Sequence, residues 1–428
     1  MNIGSRIKSR RKELGLTQAD LAEPEFTRGF ISQIENGITK PPLKTLEIIA
    51  TKLAVSINYL IDTDMEIALD FSNKNKVLEQ IKIVKRLIHL KKYKDASFIV
   101  ETIEKGTNKE FIGEVLKLKG DIFYDQQQYK ETISLLEESL IYLSPEDPIT
   151  LLEAYLKLAI SYMNIQKYDK AIDYGFYGLC IFQSTNQTSK IFHLKLLYTL
   201  GYCHCRRNEY IQGLHFVEEA LLISDSTKIH YNYGSLKMLK GLAHTYLKDY
   251  EKGIISTKEA LHFFKSSNSL VEIVGCLTNL GILYRYIEDY DKSIDFLEQS
   301  LKKAKEANLD FHTQNILYEL TSTFLLSGRY EKALPLAEEG LQYVKDYKLR
   351  GKILYTLAST HTFLKNWADA ITYLRQGMEI FEKHGMKRWK AKTLAKLSEI
   401  YHWQGEHQSS FIYNQKSVEV YESLMDPE

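Results

Sequence analysis

The first sixteen residues of this 428-residue chain carry a local excess of positive charge, although the net charge of the whole chain is only +1. The basic residues of this stretch are Arg6, Lys8, Arg10, Arg11 and Lys12, with Glu13 as the one acid. Basic side chains grouped in this way can contact phosphates and give salt-dependent binding. The alternative is a solvated helix face without a partner. The elements that follow must decide between these two interpretations.

The stretch 16–37, LTQADLAEPEFTRGFISQIENG, has the start and stop signals of two short helices. Thr17 can cap the first helix, and Asp20 lies where the first turn favours an acid. Pro24 cannot continue that helix, Thr27 offers a second cap, and Gly37 supplies a stop. We therefore predict a helix-turn-helix. In this motif the second helix enters the DNA major groove with its N-terminal residues facing base edges.

The same stretch resembles the DNA-binding domain of the Xre/Cro/phage-repressor family, and the likeness runs from about Ile3 to Ile61. It rests on IGSRIKSRRKELG, on the TQ opening, on ISQIENG and on PPLKTLEIIATKLAVSINYLI. The turn EPEF is a residue shorter than usual and lacks Gly, a variant associated with peptide-pheromone receptors of Gram-positive bacteria. The resemblance implies a five-helix domain over 1–61. The polar stretch 62–76 is predicted to be a linker or a connecting helix.

The family likeness also assigns residues to DNA. Arg28 and Gln33 align with positions that reach base edges, where Arg suits guanine O6/N7 and Gln suits adenine N6/N7. Gln18 and Thr27 are placed for phosphate contacts, helped by helix N-termini. Arg10 and Arg11 join them as candidate phosphate contacts from the basic first helix. Phe30 has two interpretations, contact with a thymine methyl or packing on the preceding helix.

From Val77 onward the chain repeats, with an anchor residue every 36 to 42 positions. The nine anchors are Tyr93, Tyr129, Tyr168, Tyr210, Tyr250, Tyr290, Tyr330, Trp367 and His407. Most units also have Gly or Ala nine positions earlier, where a small residue lets two helices cross closely. This pattern resembles the tetratricopeptide repeat. We expect nine antiparallel helix pairs over 77–428 in a right-handed superhelix whose concave face binds an extended peptide or a protein.

The tetratricopeptide resemblance implies which positions of each first helix face the concavity. These positions are Asn164, Lys195, Tyr198, Thr199, Tyr202, Arg206, Thr278, Asn279, Arg285, Tyr286, Asn315, Tyr318, Tyr355 and Trp403. The candidate peptide-binding residues among them are Asn164, Tyr198, Arg206, Asn279, Arg285, Asn315 and Tyr318. Asn can bond a peptide's N–H and C=O together, and Arg can hold a carboxylate. The alternative is that these residues form a solvated helix face.

No motif in the sequence indicates catalysis, a cofactor or a metal. The Cys203-His204-Cys205 triplet cannot direct three side chains to one ion from a single helix, and packing is the favoured interpretation. Four scattered cysteines do not form a disulfide framework. No apolar run approaches the eighteen or so residues of a membrane span. We therefore expect a cytoplasmic protein that is not an enzyme.

An Xre-type head joined to nine tetratricopeptide-like repeats resembles the RRNPP group of quorum-sensing regulators. The resemblance implies an all-α transcriptional regulator that binds double-stranded operator DNA, responds to a short oligopeptide signal, and forms a homodimer or a higher homo-oligomer. A second hypothesis is a Rap-like phosphatase or sequestering protein whose partner is a response regulator, with its docking surface near 77–108. A third is a DNA-tethered scaffold for another protein.

Overall fold

The computed structural model describes residues 3–53, 55, 60, 63–106, 111–185 and 189–424, and these residues contain helices and no strands. The chain divides into two compact units, Met1–Ser144 and Pro145–Glu428. The predicted all-α fold class is confirmed. No helix in the described ranges is long and apolar enough to cross a membrane.

The first unit begins with four short helices around one apolar core. They are α1 Ile3–Glu13, α2 Gln18–Ala22, α3 Arg28–Glu35 and α4 Leu43–Lys52. Their core consists mainly of Ile7, Leu21, Ile31, Ile34, Leu46, Ile49, Leu53 and Leu60, all buried. The fifth helix predicted for this domain falls mostly on 54–59, which lies outside the described residues.

The caps predicted for α2 and α3 are present. The Thr17 hydroxyl accepts a hydrogen bond from the Asp20 N–H at 3.2 Å, and the Asp20 carboxylate accepts one from the Thr17 N–H at 2.7 Å. This capping box satisfies two backbone donors at the start of α2. At α3 the Thr27 hydroxyl accepts from the Phe30 N–H at 3.3 Å. The sequence signals therefore fix where both helices begin.

A single helix, α5 Thr63–His89, covers most of the stretch 62–76. Its C-terminal half packs in a core of its own with Ile81, Val84 and Ile88 buried. The segment that we interpreted as a linker or a connecting helix is therefore helical from Thr63. The domain limits 1–61, 62–76 and 77–428 stay predictions.

From α5 onward the described residues form consecutive helix pairs. The first unit continues with α6 Tyr93–Gly106, α7 Ile112–Asp125 and α8 Tyr129–Tyr142. The second unit contains α9 Pro148–Asn164, α10 Tyr168–Ser184, α11 Lys190–Arg206, α12 Tyr210–Thr227, α13 Tyr233–Tyr246, α14 Tyr250–Ser266, α15 Leu270–Tyr286, α16 Tyr290–Glu306, α17 Asp310–Leu326, α18 Tyr330–Tyr343, α19 Tyr347–Phe363, α20 Trp367–Lys383, α21 Lys387–Trp403 and α22 His407–Glu422. The second helix of each pair begins at one of the nine predicted anchors.

The helices of a pair cross closely at the small residue of the repeat. A Cβ built on Gly281 of α15 would lie 2.5 Å from Cγ of Leu297 in α16, so the crossing has no room for a side chain. Beside it, the Ser293 hydroxyl donates to the Gly281 carbonyl at 2.7 Å. Ser300 likewise donates to the Val274 carbonyl at 2.9 Å. Small residues and buried hydroxyls therefore hold the two backbones together.

The two helices of each pair are joined by a turn with one residue in the left-handed region, two positions before the anchor. These residues are Lys91, Gln127, Gln166, Asn208, Lys248, Glu288, Gly328, Lys365 and Gly405. A left-handed conformation costs an L-residue other than Gly about 1–2 kcal/mol. The turn recurs in units with different residues, so it follows from the packing of the pair rather than from local sequence.

We predict that Gly328→Ala lowers the free energy of unfolding by about 1 kcal/mol. Gly328 has φ +74° and no neighbour within 4 Å of a built Cβ, so the backbone conformation alone penalises Ala. The matched control is Gly275→Ala inside α15, where the nearest atom is the Met238 sulfur at 3.9 Å. This control should raise stability by about 0.5–1 kcal/mol. Urea unfolding of both variants measures the difference, and equal effects would contradict the assigned turn.

Candidate nucleic-acid interface and ligand-binding face

Helix α3 has one buried side and one exposed polar side. Ile31 and Ile34 are buried in the core of the head, whereas Arg28 and Gln33 are exposed. The Gln33 side-chain carbonyl accepts from the Thr39 hydroxyl at 3.3 Å, which orients the amide. The two side chains predicted to reach base edges thus lie on the face of α3 that the core leaves free.

Phe30 packs within the head. It is half-buried against the core, and its ring centroid lies 5.7 Å from that of Phe26. The structure therefore favours packing of Phe30 within the head over contact with a thymine methyl. Thr27 is exposed and caps α3, so its hydroxyl already accepts one backbone hydrogen bond.

A buried ion pair joins the first helix to the third. The Arg11 guanidinium donates to both carboxylate oxygens of Glu35, at 2.5 and 2.9 Å, and to the Leu16 carbonyl at 2.6 Å. The Gln18 amide donates to Glu35 at 2.8 Å. The Glu35 side chain is fully buried and the Arg11 side chain is 9% exposed. This Arg11–Glu35–Gln18 network fixes α3 relative to α1 and α2.

The network holds its charges in spite of burial. Burial alone would raise the pKa of Glu35, but the hydrogen bonds from Arg11 and Gln18 outweigh that effect, so the pKa of the carboxyl is lowered. The hydrogen bond to Glu35 raises the pKa of Arg11, against the effect of burial. Both groups are therefore charged at neutral pH, and their ion pair is part of the folded head.

Two of the predicted phosphate contacts, Arg11 and Gln18, have side chains that bond within the head. Glu35 and Leu16 accept hydrogen bonds from three of the five N–H groups of the Arg11 guanidinium, and the side chain is 9% exposed, so little of it is accessible to a phosphate. The Gln18 side chain is likewise directed at Glu35. Arg10 is half-exposed, with a surface ion pair to Glu13 at 2.9 Å, and it fits the prediction better.

In the second unit, the first helices of neighbouring pairs contact one another through their side chains. The Tyr198 ring of α11 lies edge-on to Tyr231, just before α13, with centroids 5.9 Å apart. The Arg285 guanidinium of α15 bonds Glu319 of α17 at 2.6 Å. The first helices of this unit therefore form one continuous layer, and the predicted peptide-binding residues lie on it.

Asn279 of α15 and Asn315 of α17 are both half-buried on neighbouring helices of this layer. Within the described chain neither side-chain amide has a hydrogen-bond partner. Asn279 lines a cavity of about 130 Å³ together with Tyr246 and Tyr286. Two free amides with donor and acceptor groups are thus available to a ligand here.

The structure gives three other predicted peptide-binding residues partners inside the protein. Arg285 donates to the Glu319 carboxylate and to the Glu319 carbonyl at 3.0 Å, so it is not the free carboxylate clamp that we expected. Arg206 donates to the Tyr168 hydroxyl at 3.3 Å. Asn164, exposed at the end of α9, donates to the Ile160 carbonyl at 2.8 Å.

Tyr198 and Tyr318 are half-buried, and burial is the main cause that raises the pKa of each phenol to about 12. Both hydroxyls are therefore protonated at neutral pH. The Tyr318 ring lies 5.8 Å from Nζ of Lys352 in α19. These tyrosines offer apolar rings and neutral hydroxyl groups rather than charge.

The sequence interpretation did not select Lys352 and Lys392 as binding residues. Their Nζ atoms lie 5.9 and 4.8 Å from the centroid of the Trp389 ring. A signal was available, because both lysines stand six positions before the crossing residue of their repeats, as Lys195 does. They come from different repeats and lie on the same layer of first helices.

The Cys203-His204-Cys205 triplet lies inside the packing of α11. Burial raises the pKa of Cys203 to about 12 and that of Cys205 to about 11. His204 Nδ1 lies 2.6 Å from the Glu209 carboxylate. The described residues contain no group of three or more His, Cys, Asp or Glu side chains that could hold a metal ion.

The head matches known DNA-binding proteins. The helix-turn-helix family matches residues 7–60, and the tetratricopeptide repeat family matches 274–346 and 349–423. The immunity repressor protein of Bacillus phage phi105 is 31% identical over 115 residues, which cover 27% of this chain and 73% of the repressor. The chain therefore belongs to the helix-turn-helix family.

The repeats match solved structures in fold. The apo form of RapI is 15% identical, with 81% of this chain and 98% of RapI covered and a TM-score of 0.61. A Rap protein complexed with Competence and Sporulation Factor is 13% identical, with 82% and 98% covered and a TM-score of 0.54. An Xre-type head on such repeats confirms the predicted resemblance to the RRNPP group. The repeat number further predicts that the neutral protease regulator is the most similar member, and that comparison stays a prediction.

We predict that Arg11→Ala destabilises the head by about 3–5 kcal/mol, because it leaves the Glu35 carboxylate buried without its cation. Arg10→Ala is the matched control, since it removes a surface ion pair worth about 1 kcal/mol or less and a hydrogen bond of 3.4 Å to the Leu53 carbonyl. Hydrogen exchange at the amides of α3 in the full chain reports the local stability. Equal protection in the two variants would contradict the structural role of Arg11.

Proposed function

We propose that the protein is a transcriptional regulator that binds operator DNA through its head and is controlled by a short signalling peptide bound on the first helices of its repeats. The observation that carries the proposal is the exposed face of α3 that contains Arg28 and Gln33. The Arg11–Glu35–Gln18 network holds this helix in place against α1 and α2. Base reading requires such a rigid polar face, because side chains must meet base edges in fixed geometry.

The charges around this face support DNA as the partner. Lys12, Lys40 and Lys44 are exposed on the head, and Lys8 is half-exposed. Basic side chains around a recognition helix contact phosphates and set its register on the duplex without reading sequence. The head thus combines base-edge contacts from α3 with phosphate contacts from the basic side chains, and mutation can separate the two.

We predict that Arg28→Ala weakens operator binding by about 1–3 kcal/mol and relaxes the base preference at one position. Arg10→Ala, as the matched control, should weaken binding to all sequences alike and lower the dependence on salt. Selection from a random duplex library by the full chain, followed by sequencing, compares the preferences. If both variants kept every base preference and lost only general affinity, α3 would not be the reading helix.

We further propose that the species on DNA is at least a dimer. One helix-turn-helix head reads a half-site, and paired half-sites match a two-fold symmetric protein. The repeats then supply most of the dimer interface, because the head is small and its exposed polar face is occupied by DNA. Native mass spectrometry of the complex with a selected duplex gives the stoichiometry directly.

The peptide part of the proposal rests on Asn279 and Asn315. Their amides are free within the described chain and lie on adjacent helices of one layer, where an extended backbone can exchange paired hydrogen bonds with them. A Rap protein with the same fold forms a complex with Competence and Sporulation Factor, which supports a ligand on repeats of this kind.

We predict that Asn279→Ala and Asn315→Ala each lower peptide affinity at least tenfold, because each removes a donor and an acceptor from the ligand. Gln299→Ala is the matched control, since Gln299 is exposed on a second helix and its amide bonds Asp295. Calorimetry measures the loss, with a peptide that the wild type retains from a pool of random heptapeptides. Unchanged affinity in both Asn variants, with folding intact, would place the ligand elsewhere.

The alternative function is a Rap-like activity on a response regulator. The likeness to RapI favours it as a second candidate but, at 15% identity, extends to the fold alone. Incubation of purified phosphorylated response regulators with the full chain distinguishes the two functions. Dephosphorylation or stable capture without any DNA preference would favour the alternative, and the expectation that the chain is not an enzyme would then fail.

A further inference from the structure

Two lysine side chains meet an indole ring at the last repeats, on the layer of first helices, and the exposed Arg388 precedes the indole in the chain. Lys352 belongs to α19, whereas Arg388, Trp389 and Lys392 belong to α21. The Nζ atoms of Lys352 and Lys392 lie 5.9 and 4.8 Å from the Trp389 centroid. We call these four residues the Lys352–Lys392 cluster.

Packing fixes the indole on which the two lysines converge. The Trp389 ring stacks on Phe381 with centroids 5.7 Å apart, and it meets Tyr355 edge-on at 5.4 Å. Phe381 is fully buried and Tyr355 is half-buried. Two ammonium groups therefore lie beside one rigid aromatic surface, an arrangement that also supplies modest cation–π attraction.

Within the described residues, no ion pair neutralises the cations of the cluster. Where the structure describes the chain, Lys352, Arg388 and Lys392 have no carboxylate oxygen within 4.0 Å. Nearby lysines of α21 do have such partners: Lys390 pairs with Glu382 at 2.8 Å, and Lys396 pairs with Glu399 at 2.5 Å. Among the described residues, the cations of the cluster therefore differ from these two neighbouring lysines in having no carboxylate partner.

The electrostatics agree with that geometry. Burial, together with repulsion from Arg388 and Lys352, lowers the pKa of Lys392. An anion placed among these groups would relieve the repulsion and form charge-assisted hydrogen bonds with the lysines. The cluster therefore has the positive charge and the rigid aromatic wall of an anion-binding site, with Lys352 and Lys392 half-buried.

We propose that the Lys352–Lys392 cluster binds a carboxylate of the signalling peptide, either its C-terminus or an Asp or Glu side chain. This inference rests on the proposed function and adds the chemistry and direction of the ligand. The cluster also replaces Arg285 as the proposed carboxylate-binding group, because Glu319 neutralises the charge of Arg285. Bound this way, the peptide runs from the free amides of Asn279 and Asn315 toward α21.

The distances suit a short peptide. Helices α17, α19 and α21 follow one another in the layer, and packed helices lie about 8–10 Å apart, so Asn315 and Lys392 are about 16–20 Å apart. An extended chain covers about 3.3–3.6 Å per residue, so about five or six residues span the gap. A peptide of about seven residues can therefore reach from Asn315 to the cluster, and one of about seven to nine residues is needed to reach from Asn279 as well.

The test uses the full chain and four synthetic pools of random heptapeptides. Two pools contain Asp and Glu, two replace them with Asn and Gln, and one of each kind has an amidated C-terminus. Native mass spectrometry measures the peptides retained by the wild type, Lys352→Gln, Lys392→Gln and the control Lys302→Gln. Lys302 is exposed on the second helix α16 and changes charge by the same amount.

We expect the wild type and Lys302→Gln to retain peptides with at least one carboxylate, and both cluster variants to retain them at least tenfold less. The amidated and the Asp/Glu-free pools show which carboxylate is bound. Thermal unfolding of each variant confirms that its fold is intact.

Equal retention of the four pools, unchanged in the cluster variants, would overturn this inference and leave peptide binding itself standing. Unchanged peptide retention by both cluster variants would also overturn it, because the carboxylate would then be bound elsewhere. No retention of any peptide by the wild type would remove the proposed function and this inference together.

Discussion

The two helices of a repeat cross so closely at Gly120, Gly201, Gly241 and Gly281 that the crossing point excludes a side chain. At Gly281 a built Cβ would lie 2.5 Å from a side-chain carbon of Leu297, and the Ser293 hydroxyl ties the backbones together beside it. Because this crossing fixes the rotation of each first helix, the same helix positions in successive units contact their neighbours on one layer. The positions of the free amides, the tyrosines and the lysines that we propose as binding groups all depend on that rotation.

Charge has opposite roles in the head and in the last repeats. In the head, Arg11 and Glu35 are buried as a hydrogen-bonded pair, and removing one partner would leave an uncompensated charge. At the last repeats, Lys352 and Lys392 lie beside Trp389 with no carboxylate within 4.0 Å in the described chain. The first arrangement fixes a helix, and we propose that the second awaits a ligand.

Local patterns predicted the elements well. The Thr17 and Thr27 caps define where α2 and α3 begin, and each of the nine anchors begins a second helix. These signals succeed because capping and helix crossing depend on residues close in sequence.

Pairings across the chain could not be predicted in this way. Arg11 meets Glu35 from 24 positions away, and Arg285 meets Glu319 from the next repeat, 34 positions away. Which cation is neutralised and which is free depends on such contacts, and no local pattern records them. Lys352 and Lys392 occupy the same position in their repeats as Lys195, but only the structure shows that their ammonium groups converge on Trp389.

The central claim is that a peptide on the repeats controls DNA binding by the head. Fluorescence anisotropy of a duplex selected by the full chain, titrated with protein in the absence and presence of saturating peptide, measures the coupling. Allosteric coupling of about 1–3 kcal/mol predicts a shift of about 5- to 150-fold in DNA affinity. Superimposable curves, with the peptide shown to be bound, would contradict the account.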